Sequence, residues 1–294
     1  SWDGDLDAWP EHLSPSVRRL ITTDQSQCTG RRCPHIAQCS FFRAREGLDE
    51  ADVIVTNHDL VLSDLRLGGG VILPAPEDSL YVFDEGHQLP AKCLNQFALR
   101  FHSGGTLQGL RDSERWLAAS AATWLAQGLD ERLIPAITSL VGDLIQRSED
   151  IAELLWQLLP EADFERAEHR FPHGRVPASL AEQAAGLVAQ WDQLYREATR
   201  LEAALENSQT AGSSSADSAI AGAADPDLNL ANAQGLVARA EQQLAVWRAF
   251  ADAPGEGEPG DGWARWCQHR GTPQSVECQA SPILPGELLH DALW

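Results

Sequence analysis

The sequence predicts an α/β chain carrying a large, mainly helical insertion, and three observations carry that prediction. Residues 52–56 ("DVIVT") and 80–83 ("LYVF") are short apolar runs that each end at a polar turn, the pattern of strands covered on both faces. From about Leu107 the apolar residues recur every three or four positions, the period of a helix with one buried face. Near the end, "WARWCQH" and "SVECQASPI" flank Gly271-Thr272-Pro273 and read as a two-stranded hairpin.

Taken in order, residues 1–20 contain "LSPSVRRLI", the end of a helix or an entry into a domain, and a cysteine-bearing segment follows. The run "ADVIVTNHDLVLSDL" predicts a strand over 52–56 and then a helix capped by Asn57 or Asp59. After the Gly68-Gly69-Gly70 turn, the second strand ends at Asp84. Stripes at Leu107, Leu110, Leu117, Ala121 and Leu125, at Ile134, Ile137, Val141 and Leu144, and at Ala184, Leu187, Trp191, Leu194, Ala198, Leu201 and Leu205 are core faces of three helices. Trp116, Trp124, Trp156 and Trp191 fall on these stripes and are read as core. A fourth helix runs through Leu236, Ala240, Leu244 and Trp247. Between it and the third, residues 208–230 are rich in Ser, Ala and Gly, so a helical hairpin closed by a flexible loop is expected.

The chain has 294 residues and a formal net charge of −21, which argues against a general polyanion-binding surface. Charge is unevenly placed: residues 17–45 hold Arg18, Arg19, Arg31, Arg32, Arg43 and Arg45 against one acid, Asp24. That island is either a solvated arginine-rich loop or a contact for phosphates. No apolar run reaches membrane-spanning length, and a cytosolic, reducing compartment is expected. The chain contains no methionine and opens on Ser-Trp, which reads as a piece of a longer protein.

Two groups carry chemistry. Cys28, Cys33 and Cys39 place three thiolates within twelve positions, a density that suggests metal over a disulfide framework. An iron-sulfur cluster and a zinc ion each want four ligands, so His35, Cys93 or a cysteine upstream would have to complete the set. Pro34 after Cys33 leans toward a cluster. The second group is "DEGH", Asp84 to His87, at the end of the second apolar run. In nucleotide hydrolases the first acid at such a position holds Mg²⁺ and the second polarises the attacking water. No G-x-x-x-x-G-K-[ST] phosphate loop occurs, and Lys92 is the only lysine, so these residues do not assemble a complete ATPase.

In this order, the cysteine trio, "ADVIVTNHDLVLSDL", "LYVFDEGHQLP" and the helical insertion resemble the iron-sulfur DNA helicases of the XPD-like branch of superfamily 2. "FPHGRVP" and "SPILPGELLHDALW" are also similar to bacterial members. The resemblance implies part of a RecA-like P-loop motor domain with an iron-sulfur insertion and an Arch-type helical insertion. Residues 1–20 would end an upstream motor segment, 21–46 form the cluster segment, 47–103 the motor core, 104–262 the Arch-like insertion, and 263–294 a return to the motor. It implies Mg²⁺ on Asp84, water activation by Glu85 and coupling through His87, with ATP as substrate. Cys28, Cys33 and Cys39 would hold a [4Fe-4S] cluster whose fourth ligand lies upstream. The implied partners are single-stranded DNA and DNA junctions, met by Arg31, Arg32, Arg43 and Arg45, and a single-stranded DNA-binding protein. A cytoplasmic monomer translocating 5′ to 3′ is expected, and this piece alone should be inactive. Phe41 and Phe42 offer stacking surfaces or pack around the cluster. The competing reading is a non-enzymatic zinc- or cluster-stabilised helical scaffold or redox module.

Overall fold

Asn57 stands where an apolar run meets a helical one, and its Oδ1 accepts the Leu60 N–H at 2.8 Å, the side-chain cap expected of that residue type. The computed structural model describes residues 36–48, 50–159, 167–212, 226–255, 258–269 and 275–284, with isolated positions among 6–22 and 286–290. The chain divides into two units, residues 1–98 with 282–294, and residues 99–281.

In the first unit the described residues include the helices α1 (Ser40–Glu46), α2 (His58–Arg66) and α3 (Leu89–Phe97). The two predicted buried strands are a correction. Residues 52–56 and 80–83 lie outside any sheet among the described residues. Ile54, Tyr81 and Phe83 pack against Val61, Leu65 and Leu73, whereas Val53, Val55, Leu80 and Val82 are between 79% and 93% exposed. One face of each segment is therefore covered and the other bare. A continuous apolar run marks a strand meant for cover on both sides, and it does not supply that cover.

Asp64 fixes the turn that follows α2. It lies on the helix's inner stripe, 1% exposed, and its carboxylate accepts the N–H groups of Gly70, Val71, Ile72 and Leu73 at 2.5–3.3 Å. Gly68, Gly69 and Gly70 all have positive φ, which lets the chain curl around that carboxylate. Removing the acceptor strands several backbone donors. Asp64→Ala should lower stability by about 2 kcal/mol, read as a shift in the urea midpoint.

Among the described residues the second unit sets four α-helices on a four-stranded sheet: β1 (Leu99–His102), α4 (Ser103–Ala126), α5 (Leu133–Gln157), β2 (Ala167–Phe171), α6 (Ala178–Gly212), α7 (Pro226–Ala251), β3 (Trp263–His269) and β4 (Val276–Pro282). Strand order is β1-β4-β3-β2, with β1 antiparallel to β4 and β2 antiparallel to β3. The expected hairpin is present as β3 and β4. It shares the sheet and core of the helices, so the compact unit runs past residue 262 to Ser281. Helix α6 continues to Gly212 and α7 begins at Pro226, which shortens the loop expected over 208–230.

Along the sheet's inner face Phe101 meets Trp247 with ring centres 4.8 Å apart and Phe171 meets Phe250 at 6.3 Å, within one core that also takes in Cys267, Val276, Cys278, Trp124 and Trp191. Each large side chain so buried contributes about 1.5–3 kcal/mol. Polar contacts fix α7 against α4. Asn229 accepts from Trp116 Nε1 at 3.0 Å and Ser120 Oγ at 3.3 Å, while Arg239 Nη1 donates to the Gly109 carbonyl at 2.9 Å. A Cβ on Gly109 would stand 2.4 Å from the Arg239 guanidinium carbon, so the glycine is the notch that admits it. Among the described residues no helix is long and apolar enough to cross a membrane.

Candidate functional site

The acidic turn begins where the second extended segment ends. Asp84, Glu85 and His87 are all exposed. Glu85 adopts φ 50° and ψ 40°, a left-handed backbone uncommon for a residue with a side chain. Asp84 Oδ1 accepts the Glu85 N–H at 2.9 Å, and Glu85 Oε2 lies 3.1 Å from His87 Nδ1. The sequence places these groups next to one another, and the turn points two of them at each other. The two carboxylates offer hard oxygen donors of the kind suited to Mg²⁺, which keeps most of its own waters and binds through one or two carboxylates.

Residues Gly86–Gln88 form one tight turn that passes directly into α3 at Leu89, with Pro90 in the first helical turn, where its missing N–H costs nothing. The position of α3 thus sets that of the acids. Two polar rungs tie α3 to α2: Lys92 Nζ to Asp59 Oδ2 at 2.7 Å, and Gln96 Nε2 to Ser63 Oγ at 2.8 Å. Asp59 and Ser63 are one helical turn apart on α2, as are Lys92 and Gln96 on α3. The His58 ring lies 5.9 Å from that of Phe83, the residue before Asp84. The "TNHD" and "DEGH" stretches are therefore neighbours. Sequence reasoning missed the rungs, although the isolated lysine one turn past "DEGH" was their signal.

The cysteine group is only partly described. Cys28, Cys33, His35, Arg31 and Arg32 lie outside the described residues, while Cys39 is a half-buried free thiol at the start of α1. A thiol in that position suits a cluster or zinc ligand. Among the described residues no three His, Cys, Asp or Glu side chains converge as a metal site. Cys93 is fully buried on α3, and burial pushes its thiol up, against the thiolate that a ligand must supply. On α1, Phe41 is 53% exposed, with the Arg45 guanidinium 5.7 Å from its ring centre and the Phe42 ring perpendicular to it, ring centres 5.6 Å apart. Phe42 is turned partly inward, and Arg43 is exposed.

Comparison with known proteins gives one consistent likeness. The chain is 35% identical over 188 residues to the ATP-dependent DNA helicase DinG of Photobacterium profundum, covering 63% of this chain and 26% of that protein. It is 30% identical over 188 residues to DinG of Escherichia coli K12 and 29% identical over 201 residues to DinG of Salmonella typhimurium, in each case across 62% of this chain and 25% of the relative. The chain thus spans about a quarter of the length of the curated relatives it matches. No family model matches it.

Proposed function

Starting from a chain that is DinG-like over some three-fifths of its length, we propose that it is the central part of an ATP-dependent DNA helicase, one that moves 5′ to 3′ along a single strand. The observation that carries this reading is the acidic turn, where Asp84, Glu85 and His87 stand together and exposed at the end of an apolar segment. Asp84 would hold Mg²⁺, which would stabilise negative charge on the phosphates of ATP. Glu85 accepts the proton of the attacking water. His87, in contact with Glu85, passes the state of that carboxylate on to the nucleic-acid contacts.

The bare row of Val53, Val55, Leu80 and Val82 supports a RecA-like sheet as the setting, since four such side chains suit the interior of a larger domain. Residues 47–98 would belong to that motor, with Leu99–Ser281 as the Arch-like insertion. Cys39 would hold a [4Fe-4S] cluster together with Cys28, Cys33 and an upstream cysteine, and a cluster there would tie the segment around α1 together. Arg31, Arg32, Arg43 and Arg45 meet DNA phosphates beside it, and Phe41 is the outward ring of its pair. The enzyme is a cytoplasmic monomer whose substrates are single strands and junctions, met in part with a single-stranded DNA-binding protein.

ATP hydrolysis tests the reading. The 294-residue chain should show no DNA-stimulated turnover, because it has no phosphate loop, whereas a longer protein that carries both this segment and such a loop should. Turnover by the chain alone, or none by the longer protein with single-stranded DNA present, would sink the proposal.

A further inference from the structure

We propose that the outer face of the four-stranded sheet binds single-stranded DNA, with Trp266 as the platform on which a base stacks and Arg100 and Arg170 as the phosphate contacts. The inference rests on the reading of the chain as part of a DNA-acting enzyme, and it adds a site far along the sequence from the arginine island.

Strand alternation sorts the two faces. On β3, Arg265, Cys267 and His269 are buried toward the helices, while Ala264, Trp266 and Gln268 alternate with them and are half-buried. Trp266 lies outside the core cluster that takes in Trp263, and among the described residues no aromatic ring contacts it. The registers then assemble a row. Arg170 on β2 stands opposite Trp266, and Arg100 on β1 stands opposite Gln279 on β4. Strands β3 and β4 are neighbours joined by a connection too short for a parallel crossover, so they run antiparallel. Gln268 Nε2 donates to Glu277 Oε2 at 2.6 Å, which places these two residues face to face and Trp266 opposite Gln279.

The outward row therefore reads Arg170, Trp266, Gln279, Arg100, spanning about 14 Å over three strand spacings. Arg100 Nε donates to Gln279 Oε1 at 3.1 Å, and Gln279 is buried at 7% exposure, so the accessible members of the row are the two arginines and the half-buried indole between them. The Arg170 side chain is 83% exposed and pairs with Glu168, and Arg100 is exposed. An aromatic face between two cations is the combination by which sheets hold single strands: stacking tolerates any base, and the guanidinium groups take the backbone. The adjoining row carries Glu168, Gln268, Glu277 and His102. Glu168 there already pairs with Arg170, so a phosphate bound at Arg170 competes with that carboxylate.

The test measures binding of a fluorescein-labelled oligothymidylate to the 294-residue chain by anisotropy at several salt concentrations. Trp266→Ala should weaken binding roughly 5- to 100-fold, and Trp266→Phe, which keeps a ring, should stay within about 3-fold of the unchanged chain. Arg100→Ala with Arg170→Ala should flatten the slope of log K against log salt by about 1.4. All variants should keep the far-ultraviolet dichroism of the parent, because the face is outside the core. An unaltered affinity in Trp266→Ala, equal competition by polyglutamate, or no binding by the parent chain would each overturn the site. Any of these would leave the acidic turn to stand or fall on the ATP assay.

Discussion

Glutamine at position 85 is expected to lower ATP turnover of the longer enzyme by roughly 100- to 10,000-fold at saturating single-stranded DNA, with KM for ATP close to that of the parent. Glutamine has the size of glutamate and can still face His87 Nδ1, now 3.1 Å from Glu85 Oε2, so the left-handed turn at position 85 is kept. What it loses is the capacity to take a proton. On the proposed reading Asp84, which is untouched, would go on holding Mg²⁺ with the nucleotide, which is why the loss should fall on kcat. Steady-state hydrolysis followed across ATP concentrations separates the two constants, and an unchanged kcat would remove Glu85 from the reaction.

Methionine in place of Arg265 should destabilise the second unit by about 3–5 kcal/mol, the range for breaking a buried ionic network from one side. The Arg265 side chain is 1% exposed and donates to four acceptors: the Ala249 carbonyl at 2.5 Å, the Gly174 carbonyl at 3.1 Å, and both carboxylate oxygens of Asp261. It thereby joins α7, the turn after β2 and the entry to β3. Space is tight there. Gly174 has φ +71°, and a Cβ on it would lie 2.4 Å from the Trp263 carbonyl oxygen. Lysine would keep the charge without the fork and should rescue only part of the loss. For Asp261, burial opposes ionisation, and hydrogen bonds from Arg265 and the Trp263 N–H outweigh it, holding the carboxyl below the ordinary aspartate value of 3.8. A depressed carboxylate adds stability above its unfolded value, and that stability is lost as pH falls through the folded one. The gap between parent and Arg265→Met in urea midpoint should therefore be full at pH 7 and should narrow below about pH 4. A constant gap would separate the network from Asp261.

Local pattern was enough for some elements and not for others. The helical stripes through Leu187, Trp191 and Leu194 and through Leu236, Ala240 and Leu244 needed only their own period, and these residues are buried as that period requires. The hairpin of β3 and β4 was equally local, a turn between two alternating runs. By contrast, "LRFH" and "AEHRF" gave no strand signal, because β1 and β2 are short edge strands whose partners come from nearly 180 and about 100 residues away. The runs at 52–56 and 80–83 show the opposite limit: apolar enough for strands, they lack ladder partners among the described residues. At the site, Asp84, Glu85 and His87 were legible as a motif. The left-handed turn that brings Glu85 to His87 was not. Arg265 also escaped notice, although its alternation with Cys267 and His269 marked it as an inward cation.

The two rungs between α2 and α3 have a mechanical corollary. With the acidic turn passing into α3 without slack, and with Asp59–Lys92 and Ser63–Gln96 spaced one pitch apart, the paired helices are held in one axial register. The acidic turn and the asparagine-capped start of α2 at His58 are thereby kept side by side, with no loop between the turn and α3 to take up a displacement.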